Sequence, residues 1–353
     1  MNKTGLETST TEPPFVSIVM PVRDELSYIR RSVTAVLVQD YPRDRMEVLV
    51  ADGMSTDGTR RILRDLAQKD DRVRIIDNRR HTTAAGLNEA IAQARGDIVI
   101  RADGHCELAP DYVRRCVDHI LNDRVDGVGG PIHTVGETYM ARVIAAAMRS
   151  RFGVGGSAFR TTCGRTLLVD TIPFPAYCRD IIERAGKYDE GLFRNEDDEY
   201  NYRLRKLGAK LLLAADVRST YYSRSTLPSL WHQYYRYGFW KVRVMQKHPR
   251  QMSWRQFVPA TFIVALLASG SAGLAYASIA PVFFAVVGSY VLASLTATAM
   301  VARRHPAESA LVPLAFAALH FAYGFGFLHG LVRMPWTPAS PVRQISTRVE
   351  QVS

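Results

Sequence analysis

Acidic side chains recur where short apolar runs end. Asp24 and Glu25 follow Val16-Ser17-Ile18-Val19-Met20-Pro21, Asp52 follows Glu47-Val48-Leu49-Val50-Ala51, and Asp103 follows Asp97-Ile98-Val99-Ile100-Arg101-Ala102. One Asp in a turn ordinarily does no more than hydrogen-bond local backbone. Three acidic turns on one rim repel each other unless a cation or a donor-rich ligand is present. A nucleotide base with N–H donors, ribose hydroxyls and a metal-bound diphosphate would answer that need. Farther along, Glu196-Asp197-Asp198-Glu199 opens a helical stretch, with Asn195 placed as its N-cap. Acids there complement the helix dipole. Successive helical side chains point about 100° apart, however, so four acids cannot share one face and one or two can enter a cleft.

The elements that would position these acids alternate regularly. Strands are expected at 16–20, 47–51, 73–76 and 97–102. Between them Leu26, Ile29, Val33, Val36 and Leu37, then Ile62, Leu63 and Leu66, then Leu87, Ile91 and Ala94 recur at helical spacing. A further helix carrying Val113, Val117 and Ile120 would begin near Pro110. This alternation predicts an α/β fold, a mostly parallel sheet with helices on both faces. Such sheets bind ligands at the carboxyl ends of their strands, where the acids stand.

The 353 residues combine a net charge of +11 with 47 consecutive uncharged positions, 256–302. As a single helix these 47 residues would extend about 70 Å, more than twice the roughly 30 Å hydrocarbon core of a bilayer. Two crossings with a turn near Ser278–Pro281 fit, and 309–332 is a third apolar stretch. The expected organisation is a disordered arm (1–14), an α/β domain (15–228), a basic amphipathic segment at the membrane surface (229–255), a transmembrane region (256–333, with helices near 257–279, 281–302 and 309–332) and a tail (334–353). The basic residues Arg236, Lys241, Arg243, Lys247, Arg250 and Arg255 precede the first apolar stretch, and Arg303 and Arg304 follow the second. Both clusters place that side in the cytoplasm, against anionic headgroups. No motif that reads nucleic acid accompanies the charge.

Cys106, Cys116, Cys163 and Cys178 show no CxxC spacing and read as reduced thiols. Gly153-x-Gly155-x-x-Ala158 formally matches a dinucleotide fingerprint but follows an Ala/Met/Arg helical stretch instead of a strand, which argues against an oxidoreductase. A glycine-rich loop bordering a cleft, with Gly155 and Gly156 at its centre, is the better reading.

Three strings together resemble the family 2 glycosyltransferases of the GT-A (nucleotide-diphospho-sugar transferase) fold. They are Val16 to Glu25, Val50-Ala51-Asp52-Gly53-Met54-Ser55-Thr56-Asp57-Gly58-Thr59, and Gly86-Leu87-Asn88-Glu89-Ala90 with Ala94-Arg95-Gly96-Asp97. The resemblance runs from about 16 to 240. Arg101 to His105, Gly153 to Ser157, Arg194 to Arg205 and Tyr323-Gly324-Phe325-Gly326 narrow it to the membrane-bound glucosyltransferases of the succinoglycan-biosynthesis (ExoA) type. Two positions depart from the family pattern: Asp24 stands where Asn is usual, and Asp103-Gly104-His105 replaces Asp-x-Asp. Gln233-Tyr234-Tyr235-Arg236-Tyr237 is similar to the family's Gln-x-x-Arg-Trp, with Tyr237 in place of Trp.

The resemblance implies an inverting enzyme that moves a hexose, glucose from UDP-glucose, onto a hydroxyl of a lipid-linked saccharide during surface polysaccharide assembly at the inner cell membrane. Asp197, supported by Glu196, would be the general base. Pro21, Glu25, Asp52, Asp103 and Gly104 would bind the donor, Asp52 holding the base of the nucleotide. Asp103 and His105 would ligate a divalent metal, Mn²⁺ or Mg²⁺, a neutral imidazole suiting Mn²⁺ better; alternatively His105 contacts a phosphate directly. Gly155, Gly156, Gln233 and Arg236 would border the acceptor and the membrane interface. A polyprenyl-phosphate sugar synthase, or a non-catalytic membrane scaffold that senses nucleotide sugars, are the alternatives.

Overall fold

The computed structural model describes residues 12–162 and 164–335. Most of the arm and the tail expected from the sequence, and Cys163, lie outside them. Among the described residues eleven strands form two sheets: β1 Val16–Val22, β2 Met46–Asp52, β3 Val73–Asp77, β4 Ile98–Arg101, β5 Cys106–Leu108, β6 Gly127–Gly129, β7 Ile132–Val135, β8 Leu167–Leu168, β9 Ala176–Cys178, β10 Leu211–Leu213 and β11 Ser219–Tyr222. The large sheet runs β3-β2-β1-β4-β9-β6-β10-β8 and the small one β5-β11-β7.

The first four strands are parallel neighbours, as the alternation of strands and helices requires. Their side chains divide strictly between two layers. Ile18, Met20, Val48 and Val50 enter the core on one face, Val19, Leu49 and Ala51 that on the other. Full burial of β2 explains why its sequence is a continuous apolar run instead of an alternating one. Beyond β4 the sheet is mixed. β9 enters antiparallel between β4 and β6, and Gly127 makes room for it, since a Cβ there would lie 2.7 Å from the Tyr177 ring.

Helix Glu196–Lys206 packs on that second half. Its Tyr200 stacks on Tyr188 at 3.8 Å, and Tyr177 on β9 donates its hydroxyl to Asn201 at 2.7 Å. The long helix Leu227–Lys247 follows, capped by Thr226.

Three helices, Val258–Ala275, Ala277–Ala302 and Ser309–Arg333, are long and apolar enough to cross a membrane. They differ in how the protein covers them. The first two form a hairpin whose flanks are bare, with Leu274 92% and Phe284 68% exposed. The third is half buried, lying along Leu227–Lys247 with glycines at the contact. A Cβ on Gly238 would fall 2.1 Å from the Tyr323 carbonyl oxygen, and one on Gly326 would fall 2.0 Å from that of Tyr235.

Candidate active site

The loops after β1 and β2 are sewn together by the string that begins at Asp52. Ser55 donates its hydroxyl to Asp52 Oδ1 at 2.6 Å and accepts the Asp24 amide at 2.9 Å. Asp24 Oδ1 in turn accepts the Thr56 amide at 2.9 Å, while Asp57 and Thr59 accept the amides of Leu26 and Glu25. Arg60 bridges Asp52 and Asp77. Asp52 is therefore buried and fully engaged. The structure does not bring it to the cleft wall; it holds the rim on which Pro21, Arg23 and Glu25 line the cleft. Gly104 is likewise buried behind the wall. Its carbonyl accepts the Ser32 hydroxyl at 2.9 Å, and a Cβ would meet Glu25 Cγ at 2.9 Å.

Asp103 does line the cleft. Arg101 stands two residues earlier at the end of β4, on the same side, and donates to Asp103 Oδ1 at 2.9 Å and to Glu196 at 3.4 Å. Burial works to raise the Asp103 carboxyl, but Arg101 and then His105 outweigh it and hold it below the usual aspartate value. His105 Nδ1 sits 2.8 Å from Glu25, and the ring meets Tyr221 edge-on at 5.3 Å. Burial alone would lower its pKa; the bond to Glu25 overcomes this and pushes it up to about 9. With Nδ1 taken by Glu25, the ring has Nε2 left for a divalent ion or for a phosphate oxygen, and a carboxylate behind the ring is the usual support of a ligating histidine.

The four acids of the helix separate as their 100° spacing demands. Glu196 is buried against Arg101, and burial followed by the neighbouring Asp197 charge pushes its pKa up to about 6. Asp198 pairs with Lys241 of the long helix, and Glu199 with Arg203 and His248. Asp197 is exposed in the cleft and, among the described residues, makes no ion pair; its Oδ1 accepts the amide of Asp198 at 2.8 Å. Asn195 occupies the N-cap position in the left-handed region (φ 63°) without capping. Its amide instead donates to the Tyr237 carbonyl at 3.1 Å, tying the acidic helix to the long one.

On the opposite wall Gly155 and Gly156 both take positive φ, and Arg255 donates to the Gly155 carbonyl at 3.0 Å. Gln233 is buried, donating to the hydroxyls of Tyr221 and Tyr237. Arg236 lines the cleft, its pKa lowered by burial and then by Arg194. Sequence reasoning missed Arg101, Arg194, Tyr221 and Asn78, whose buried Oδ1 has no partner. For Arg101 a signal existed, because a cation at i and an acid at i+2 at a strand end face the same way. Among the described residues no three His, Cys, Asp or Glu side chains are grouped to hold a metal alone. Asp103 fits a divalent ion nonetheless: its Oδ2 is held only loosely, at 3.5 Å from Arg101, and Mg²⁺-type sites are commonly completed by substrate phosphates and water.

A carboxylate at the strand ends, faced by an unpaired acid across a large cleft, suits an enzyme that transfers a group from a charged donor. The comparisons with known proteins are specific. Residues 17–185 match the family model described as glycosyl transferase family 2. The succinoglycan biosynthesis protein ExoA of Rhizobium meliloti is 32% identical over 89% of this chain and 94% of its own. The dolichyl N-acetyl-α-D-glucosaminyl phosphate 3-β-D-2,3-diacetamido-2,3-dideoxy-β-D-glucuronosyltransferase of Methanococcus voltae is 27% identical over 90% of this chain and 98% of its own. Among solved structures, the mannosyltransferase PcManGT from Pyrobaculum calidifontis, in complex with GDP-Man and Mn²⁺, superposes with a TM-score of 0.59 at 20% identity, covering 92% of this chain and 89% of that one. The chain belongs to the family 2 glycosyltransferases, with a GT-A-like fold.

Proposed function

We propose that the protein is an inverting hexosyltransferase of the membrane surface, moving glucose from UDP-glucose to a hydroxyl of a phosphate-linked lipid saccharide. The observation that carries this reading is Asp197: of four successive acids it alone is free of a cation and open to the cleft. An unpaired carboxylate is suited to take the proton of an incoming alcohol. One base and one displacement invert the anomeric centre. A phosphate acceptor would need no such base, which favours a hydroxyl. The Methanococcus relative, whose name gives a dolichyl-phosphate-linked sugar as acceptor, supports a lipid joined to its sugar through phosphate.

Arg101 sets the electrostatics. Held between Asp103 and Glu196, it fixes both carboxylates and leaves the Asp103 Oδ2 oxygen for a divalent ion. A bound Mn²⁺ or Mg²⁺ would neutralise charge on the leaving diphosphate; the Mn²⁺ in the PcManGT complex supports its use here. His105 would join Asp103 on that ion or contact the same phosphates directly, while the rim around Pro21, Glu25 and Asn78 receives the nucleoside. Asp52 orders that rim from behind.

The hairpin of Val258–Ala275 and Ala277–Ala302 enters the bilayer from the cytoplasmic side, marked by Arg250, Arg255, Arg303 and Arg304. This keeps the catalytic unit in the cytosol, at the inner face of the cell membrane. The test is labelled transfer from a panel of nucleotide sugars into membrane lipid extract, with and without Mn²⁺. Metal-dependent labelling of lipid from UDP-glucose is expected. Release of free UDP with no lipid labelling would contradict the acceptor.

A further inference from the structure

The cleft is too long for a donor alone. Its volume is about 2060 Å³, against roughly 300–1,000 Å³ for ordinary small-molecule sites. Its walls also change character. At one end stand Asp103, His105 and Glu25 on the sheet; at the other the same cavity runs between the apolar helices, past Phe262, Tyr290 and Leu319. Segment 151–162 spans the two. Phe152 packs edge-on against Phe316 and His320 at 4.9 and 4.8 Å, and its carbonyl is 2.8 Å from His320 Nε2. At the far end of the segment Arg160 lies over the Tyr221 ring and donates to Thr134. Arg255, just ahead of the first apolar helix, grips the Gly155 carbonyl between them.

Among the described residues, several arginines around the cleft stand without a carboxylate in ion-pair range. Arg151, Arg160, Arg194, Arg224, Arg236 and Arg255 all line the cleft, and none forms an ion pair with a carboxylate among the described residues. Elsewhere in the protein arginines are paired freely, Arg80 with Glu89 and Glu190 for example. Guanidinium groups left without carboxylates around a cavity bind phosphate through charge-assisted hydrogen bonds. Arg194 and Arg236 act on one another, and Arg194 also on Asp103 and Glu196, at the donor end. Arg160 and Arg255 are tied instead to the segment that leads toward the membrane.

We infer that this second half of the cleft is a lipid-phosphate subsite: Arg160 and Arg255 hold the phosphate that joins acceptor sugar to lipid, and Phe262, Tyr290 and Leu319 hold the first part of its hydrocarbon chain. The subsite rests on the transferase reading above, and would seat the acceptor sugar between its phosphate and Asp197. Donor and acceptor phosphates then occupy separate arginines within one cavity.

The test is equilibrium binding to the full chain in detergent, with and without nucleoside diphosphate (UDP or GDP) saturating the donor half. The probes are a long-chain isoprenyl diphosphate, the corresponding isoprenyl alcohol, inorganic diphosphate and phosphatidylglycerol. The isoprenyl diphosphate is expected to bind at least tenfold tighter than any of the other three, and Arg255→Gln, Arg160→Gln and Tyr290→Ala each to weaken it about tenfold. Arg255 is at the surface, so its variant keeps the test open should Arg160→Gln not fold. Displacement by nucleoside diphosphate would show that the arginines serve the donor and would overturn the inference. Equal binding of the alcohol, or of phosphatidylglycerol, would overturn it too. Nucleotide binding without lipid-diphosphate binding would refute only this subsite, whereas a wild-type chain that binds no nucleoside diphosphate would refute the transferase reading itself.

Discussion

Lys241 and Asp198 join the long helix to the acidic helix that carries Asp197, and the two partners are buried unequally: their side chains are 7% and 29% exposed. That inequality fixes the order of effects. In Asp198→Asn the Lys241 ammonium stays buried and unpaired, which costs about 3–5 kcal/mol. In Lys241→Met a partly exposed carboxylate is left, water reaches it, and the methionine stem recovers some packing, so about 1–2 kcal/mol is expected. Removing both charges leaves neither orphan, and the double variant should recover to within about 1–2 kcal/mol of wild type. Thermal and denaturant unfolding of the full chain in detergent measures the cycle. Turnover adds a second readout, because a loosened acidic helix misplaces Asp197: Asp198→Asn should lower kcat more than it raises the donor KM. Equal single losses, or a double variant whose loss is the sum of the two, would refute the reasoning.

Glu196 is raised by burial to about 6 from an ordinary 4.5, so the folded protein holds this proton more tightly than the unfolded chain does. The associated stability is complete below pH 4.5 and lost as pH rises through 6, about 2 kcal/mol in all. Glu196→Gln should remove that slope between pH 4.5 and 7 in melting curves, and a slope unchanged from wild type would contradict the assignment. Gly326→Ala drives a methyl into the Tyr235 carbonyl, and about 1–3 kcal/mol of destabilisation in unfolding assays is expected; a neutral effect would mean that the third apolar helix does not lie against Leu227–Lys247 this closely. Chelation should abolish transfer and Mn²⁺ restore it, with Asp103→Asn raising the Mn²⁺ concentration needed at least tenfold; full activity in excess chelator would exclude the metal.

Much of the first half was legible because local chemistry and fold agree there. The runs at 16–20, 47–51, 73–76 and 97–102 all became parallel strands, and the fully buried β2 shows why such a run is apolar throughout. The second half was opaque for equally physical reasons. β9 and β6 are three residues each, too short for a period to register, and their pairing depends on a glycine making room for a distant tyrosine. For Asp52, type and position reveal that a carboxylate ends a strand, not whether it turns outward or is engaged by Ser55 and Arg60. Asn195 shows the same limit, its residue type favouring a cap while tertiary contact with Tyr237 claimed the amide. The separation of the four acids was foreseeable from helix geometry; which of them would stay unpaired depended on Arg101, Lys241 and His248, all remote in sequence.

The most direct measurement is the transfer rate of Asp197→Asn beside its affinity for donor, both on the full chain with labelled nucleotide sugar and a lipid-linked acceptor. Loss of the base should cut kcat by about 10²–10⁴ while the donor still binds within about threefold of wild type, because the proposed donor contacts lie on Asp103, His105 and the rim around Pro21 and Glu25. A variant that retains transfer within tenfold, or loses donor binding in proportion to rate, would contradict the account.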